Sequence, residues 1–129
     1  MMKLQINETT EVKIRARCRW NSTQIEISEG EEYEFTATGK WTDFTIKKDA
    51  DGYTNSYMQL FDAKKRAIHF LWFALIGSLN KNEDKYYLIG KKSNISFDEM
   101  GILYCFANDA KGFYWNNFGQ ISLHIKRLK

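Results

Sequence analysis

The stretch Val12-Lys13-Ile14-Arg15-Ala16-Arg17-Cys18-Arg19-Trp20 sets an apolar residue at every even position and a basic one at every odd position. A period of two sends the two sets to opposite faces of a β-strand, one toward a core and one toward water. The same period returns in residues 32–41, where Tyr33, Phe35 and Ala37 alternate with Glu34, Thr36 and Thr38. It returns again in residues 120–125, where Ile121, Leu123 and Ile125 alternate with Gln120, Ser122 and His124. Residues 24–28, 86–89, 94–97 and Gly101–Ala107 read as further short strands. Residues 67–79, rich in Ile, Phe, Trp and Leu, read as a buried strand or as two strands joined by a kink. Gly39 marks a bulge or a close backbone approach. In the weakly patterned residues 47–65, only Tyr57 to Ala63 offers a short helix. Eight or nine short strands separated by Gly, Asn and Asp turns predict an all-β chain, a β-sandwich of the jelly-roll kind.

Working outward, 129 residues suit one domain, residues 1–129. The chain has no proline and no Gly- or Ser-rich linker, which argues against disorder and a two-domain layout. The net charge of +3, from 19 basic and 16 acidic residues, is too mild for a nucleic-acid binder. The basic stripe Lys13, Arg15, Arg17, Arg19 therefore reads as the solvated face of a strand. Cys18 and Cys105 lie in apolar segments and read as two reduced core thiols. The N-terminus lacks the apolar segment of a secretory signal, and the apolar run from Phe70 to Gly77 is far short of a membrane span. The expectation is a soluble chain made without a signal peptide.

Catalytic chemistry is poorly supplied. His69 and His124 are the only histidines, no Gly-x-Ser-x-Gly elbow occurs, and Glu29, Glu31, Asp49, Asp51 and Asp62 form no paired-acid motif. Asp49-Ala50-Asp51-Gly52 lacks the later ligands of an EF-hand loop and reads as a turn. The chain is expected not to be an enzyme. The richer constellation is residues 104–119, where Asn108-Asp109 ends a strand, Gly112 crosses a loop, and Asn116-Asn117-x-Gly119 opens the last strand. Asp109, Asn116, Asn117 and intervening carbonyls give the oxygen-rich set that a hard cation such as Ca2+ takes. The same residue types also make ordinary polar turns.

The pattern Gly-x-Leu-Tyr-x-x-x-Asn-Asp-x-x-Gly-x-x-x-Asn-Asn-x-Gly, Gly101 to Gly119, resembles the C-terminal motif of the LecA-type bacterial lectins, the calcium-dependent galactose-binding family. Trp20, residues 28–31, Gly39-x-Trp41, residues 74–76 and Ile89-Gly90 follow the family's order more faintly. The resemblance implies a jelly-roll β-sandwich with one Ca2+ at its edge and two sugar hydroxyls completing the metal shell. By position, Asp109 and Asn116 would give side-chain oxygens, and Phe113 and Asn117 backbone carbonyls, with the Asn117 side chain open as a further ligand. A further carbonyl would come from Asp43 when the alignment is anchored on Gly39, or from Phe44 when it is anchored on Trp41; Asp43 is preferred. Asp109, Ala110, Phe113, Trp115 and Asn116 would meet the sugar. Family members associate as multimers, so a homo-oligomer is also implied. The family's second sugar-contacting loop, with its His-Pro and Gln, has no counterpart between Asp49 and Ala67, which leaves the sugar open. The alternative is a non-catalytic β-sandwich interaction module in which the Asn/Asp loop is only structural.

Overall fold

The computed structural model describes residues 1–54 and 58–129. Ten strands follow in order: β1 (Thr9–Arg15), β2 (Asn21–Ile27), β3 (Glu32–Thr38), β4 (Trp41–Asp43), β5 (Ile46–Lys48), β6 (Leu75–Leu79), β7 (Tyr87–Leu88), β8 (Lys92–Ser96), β9 (Gly101–Ala107) and β10 (Asn117–Arg127). They form two antiparallel sheets packed as the expected sandwich. In the six-stranded sheet β10 lies between β1 on one side and β3 and β4 on the other, with β8 beyond β3 and β5 beyond β4. The four-stranded sheet runs β2-β9-β6-β7. Among the described residues no helix is long and apolar enough to cross a membrane.

The strand count exceeds the expected eight or nine for two reasons. Residues 32–41 divide into β3 and β4, and β5 arises in a stretch without a pattern. Gly39 makes no bulge. Thr38 pairs with Ser122 and Trp41 with Gly119 in one continuous register, so Gly39, with φ +94°, bends the track without shifting it. The alternation of residues 12–20 holds for burial to its end, yet β1 pairs only to Arg15. There the Asn21 amide takes both the N–H and the carbonyl of Arg15, at 2.9 and 3.1 Å, and the Cys18 N–H folds back onto the same carbonyl.

Inward residues of both sheets make the main core, with Ile14, Ile25, Tyr33, Phe35, Trp41, Leu103 and Leu123 all fully buried. Cys105 belongs to it as expected, and burial pushes its thiol well above the ordinary range; Cys18 is only half-buried, and both thiols are free.

Residues 67–79 are not one strand. Only Leu75 onward is β6, and Phe73, at φ +60°, supplies the kink. Residues before it turn back across the outer face of the four-stranded sheet. Ala67, Ala74, Ile76, Phe106 and Tyr114 pack there as a second cluster with Trp20, Phe70 and Tyr86. Both faces of β6 are thus covered, which is why its sequence is apolar without alternation. The short helix is a 3-10 segment, Met58–Lys64; Tyr57 lies outside the described residues. Residues 49–52 form the expected turn, with Asp49 accepting the Asp51 N–H at 3.0 Å.

Arg66 fastens the second cluster. Its guanidinium carbon lies 3.5 Å from the Phe106 ring centroid and 4.4 Å from that of Trp20, and Nη1 donates to the Arg19 carbonyl and to the Tyr114 hydroxyl. Glu83 Oε1 stands 3.4 Å from its Nε. Replacing Arg66 by alanine removes a stacked, buried cation, and a loss of about 2–4 kcal/mol is expected in urea unfolding. Lysine, which keeps the charge but not the planar stack, is expected to recover only part of it.

Candidate functional site

β9 ends at Ala107, and the next two side chains part company as the period of two requires. Asn108 turns to the second layer. Its Nδ2 donates to the carbonyls of Ala67, Phe70 and Leu71, and its Oδ1 accepts the Ala67 N–H. Asp109 turns inward and is buried. Its Oδ1 accepts the Ala110 N–H at 2.7 Å and its Oδ2 accepts Asn117 Nδ2 at 3.0 Å. From the other side β4 brings Asp43, whose cross-strand partner is Asn117, so the two side chains share one face of the sheet. Asp43 Oδ2 accepts the Tyr53 hydroxyl at 2.5 Å.

The electrostatics follow from burying two carboxyls in one place. Burial pushes the Asp109 carboxyl up to about 7; the Asn117 and Ala110 donors oppose that rise, and the charge of Asp43 adds to it. Burial also raises Asp43, against the Tyr53 hydrogen bond, and Tyr53 itself is raised by burial and by both acids. Asn117 commits its amide protons to Asp109 and to the Ala16 carbonyl, and its Oδ1 is left buried without a donor. The Asn116 Oδ1 is likewise buried without a donor. Buried polar atoms with no partner are rare, and side-chain oxygens beside carboxylates are what a hard cation coordinates. Among the described residues no three His, Cys, Asp or Glu side chains cluster, so an ion here would depend on the two amides.

Hydrogen bonds and register thus draw Asp43, Tyr53, Asp109 and Asn117 together. Asn116 adjoins them, and its carbonyl accepts the Phe44 N–H at 3.0 Å. Phe44 sits at φ +56° in the β4–β5 turn. Asp43, nominated for its carbonyl, also buries a carboxylate, which motif comparison did not foresee. Ala110 is buried and offers its N–H to Asp109, whereas the Phe113 and Trp115 side chains are exposed. Tyr114 between them turns into the second cluster, where its hydroxyl donates to the Ala107 carbonyl at 2.5 Å. Phe44 and Phe118 are exposed as well, so four bare aromatic rings come from the segments that supply the acids and amides. Tyr53 carried no sequence signal, standing in a stretch without periodicity.

No protein-family model matches this chain, and no curated protein matches it. Among solved structures it is similar to the N-terminal domain of EclA, described as a PllA-like lectin, with a TM-score of 0.67 and 21% identity over 91% of this chain and 94% of that one. At that identity the likeness is one of fold: the chain has the β-sandwich fold of a lectin domain.

Proposed function

We propose that this chain is a non-enzymatic, calcium-dependent carbohydrate-binding module. The observation that carries the reading is the pair of buried, donor-less amide oxygens of Asn116 and Asn117 next to the buried carboxyls of Asp43 and Asp109. The lectin-like fold supports it. Asp109, Asn116 and Asn117, with Asp43 and the carbonyl of Phe113, would hold the ion. Bound Ca2+ would offer a positive centre to two neighbouring sugar hydroxyls. Asn117 Nδ2 and the Ala110 N–H fix both oxygens of Asp109, so the carboxyl is oriented in advance. The exposed rings of Phe113, Trp115 and Phe44 suit the apolar face of a sugar.

A calcium titration followed by thermal unfolding tests this. Wild type is expected to gain stability with calcium, by about 2.7 kcal/mol at a hundredfold excess over Kd, and Asp109→Ala to gain none. Sugar binding should vanish in chelator. A wild type indifferent to calcium would instead leave the loop as the structural turn of an interaction module.

A further inference from the structure

The basic stripe of β1 does not stay a uniform solvated face. Lys13 pairs with Glu11 and Arg19 with Glu83, whereas Arg15 and Arg17 have no carboxylate partner among the described residues. The sheet register brings further cations beside them. Arg15 lies opposite Gln120, and continuing the β4–β10 register sets Lys40 on the far side of Gln120. One row along, Arg17 lies against the Phe118 ring at 5.7 Å, Phe118 pairs with Thr42, and Thr42 pairs with Lys47. Directly opposed residues share a face, and all four cations are exposed. Neither Lys40 nor Lys47 has an acidic partner among the described residues. With strands about 4.8 Å apart and alternate residues about 7 Å apart, the four occupy a patch on the order of 7 by 14 Å.

At the centre stands the exposed Phe118 ring. Arg15, Arg17, Phe118 and Gln120 line a surface pocket of about 360 Å³ that also touches Asn117. Asn117 turns its side chain inward to Asp109 and the next residue, Phe118, faces outward, so the patch and the Asp109 site lie on opposite faces and meet at the start of β10. We infer that this corner of the outer sheet face binds the acidic groups, carboxylate or sulfate, of an anionic saccharide whose neighbouring sugar unit occupies the Asp109 site. Guanidinium groups pair with planar carboxylate and with sulfate oxygens, and the ring between them meets a sugar's apolar face. The patch has no continuation along β1, where Lys13 is already paired. A duplex phosphate track would need such a continuation.

The inference rests on the reading of the Asp109 site as a saccharide site. Calorimetry on the whole chain tests it with three probes: a sulfated uronic-acid tetrasaccharide, its desulfated and carboxyl-reduced neutral counterpart, and a single-stranded DNA of similar charge. Two double variants are used, Arg15→Ala with Arg17→Ala and Lys40→Ala with Lys47→Ala, each with its melting temperature verified. In calcium and low salt the acidic tetrasaccharide is expected to bind at least tenfold more tightly than the neutral one. That advantage should disappear in both double variants and in 0.3 M salt, with neutral-sugar affinity unchanged. Equal affinity for the two saccharides, an acidic preference that survives both double variants, or tighter binding of DNA overturns it. If the neutral sugar fails to bind even with calcium, the calcium-site reading falls separately. Binding of the acidic probe, by its sensitivity to salt and to the variants, still decides the patch.

Discussion

Asn108→Ala is expected to be the most damaging single substitution outside the main core, lowering the unfolding free energy by about 4 kcal/mol or more. The alanine leaves the Phe70 carbonyl without its donor and the Ala67 N–H without its acceptor, and it removes one of the two donors to each of the Ala67 and Leu71 carbonyls. The two orphaned groups cost about 1–3 kcal/mol each and the two other lost bonds about 1 kcal/mol each, against a total stability of about 5–15 kcal/mol. Asn108→Asp separates this cause from lost volume. It keeps the shape and the acceptor for Ala67, yet sets a carboxylate oxygen against three carbonyls. Urea unfolding at neutral pH should find it as damaged as the alanine variant, with partial recovery in acid where the carboxyl regains a proton. An aspartate variant as stable as wild type at neutral pH would show that these bonds contribute little. The segment they hold also supplies the Arg66 N–H that binds the Asp109 carbonyl, so on the calcium-site proposal a loosened segment 65–71 should weaken that binding too.

The second large effect is a pH slope that reverses common experience with surface acids. Asp109 in the folded chain titrates near 7 because burial disfavours its charge, while in the unfolded chain it returns to about 3.8. Between those values the folded state holds a proton that the unfolded state has released. The stabilisation from this group is therefore complete below about pH 4 and is lost as pH rises toward 7. Its size is bounded by about 4 kcal/mol, three pH units at 1.36 kcal/mol each. In chelator, the stability of wild type relative to Asp109→Asn should fall across this window; the carboxyls other than the coupled Asp43 are common to both proteins and cancel. On the calcium-site proposal, saturating calcium would favour the ionised carboxyl and should flatten the fall. A difference between the two proteins that is independent of pH in chelator would mean that Asp109 is not desolvated as described.

How much of this was legible depended on periodicity. Strands with one wet face, such as β1, β3 and β10, announce themselves by alternation, and Gly101–Ala107 was placed to the residue. β6 does not alternate, because a second layer covers its outer face, and that cover comes from the same apolar run. Sequence reading merged the two. The Asn108-Asp109 pair was visible as a loop motif, but not that the neighbours serve opposite sides of a sheet. Asp43 was nominated through the resemblance, for its carbonyl alone; the bond of its carboxyl to the Tyr53 hydroxyl was beyond reach, since only the fold brings those two together. That Arg15 and Arg17 lack a carboxylate partner among the described residues depended in the same way on which acids the fold places near Lys13 and Arg19.

The central place of β10 has a consequence for synthesis. Thr9 pairs with Lys126, and β3 and β4 lean on the same strand. On a ribosome, β1 emerges roughly a hundred residues ahead of its partner. At about 5–20 residues per second, that interval is on the order of 5–20 s. Throughout it, Ile14, Tyr33 and Phe35 belong to strands that lack the neighbour they need, with open edges able to pair with another nascent chain. The order of translation, rather than final stability, thus sets the period in which this protein is most exposed to aggregation and to chaperone capture.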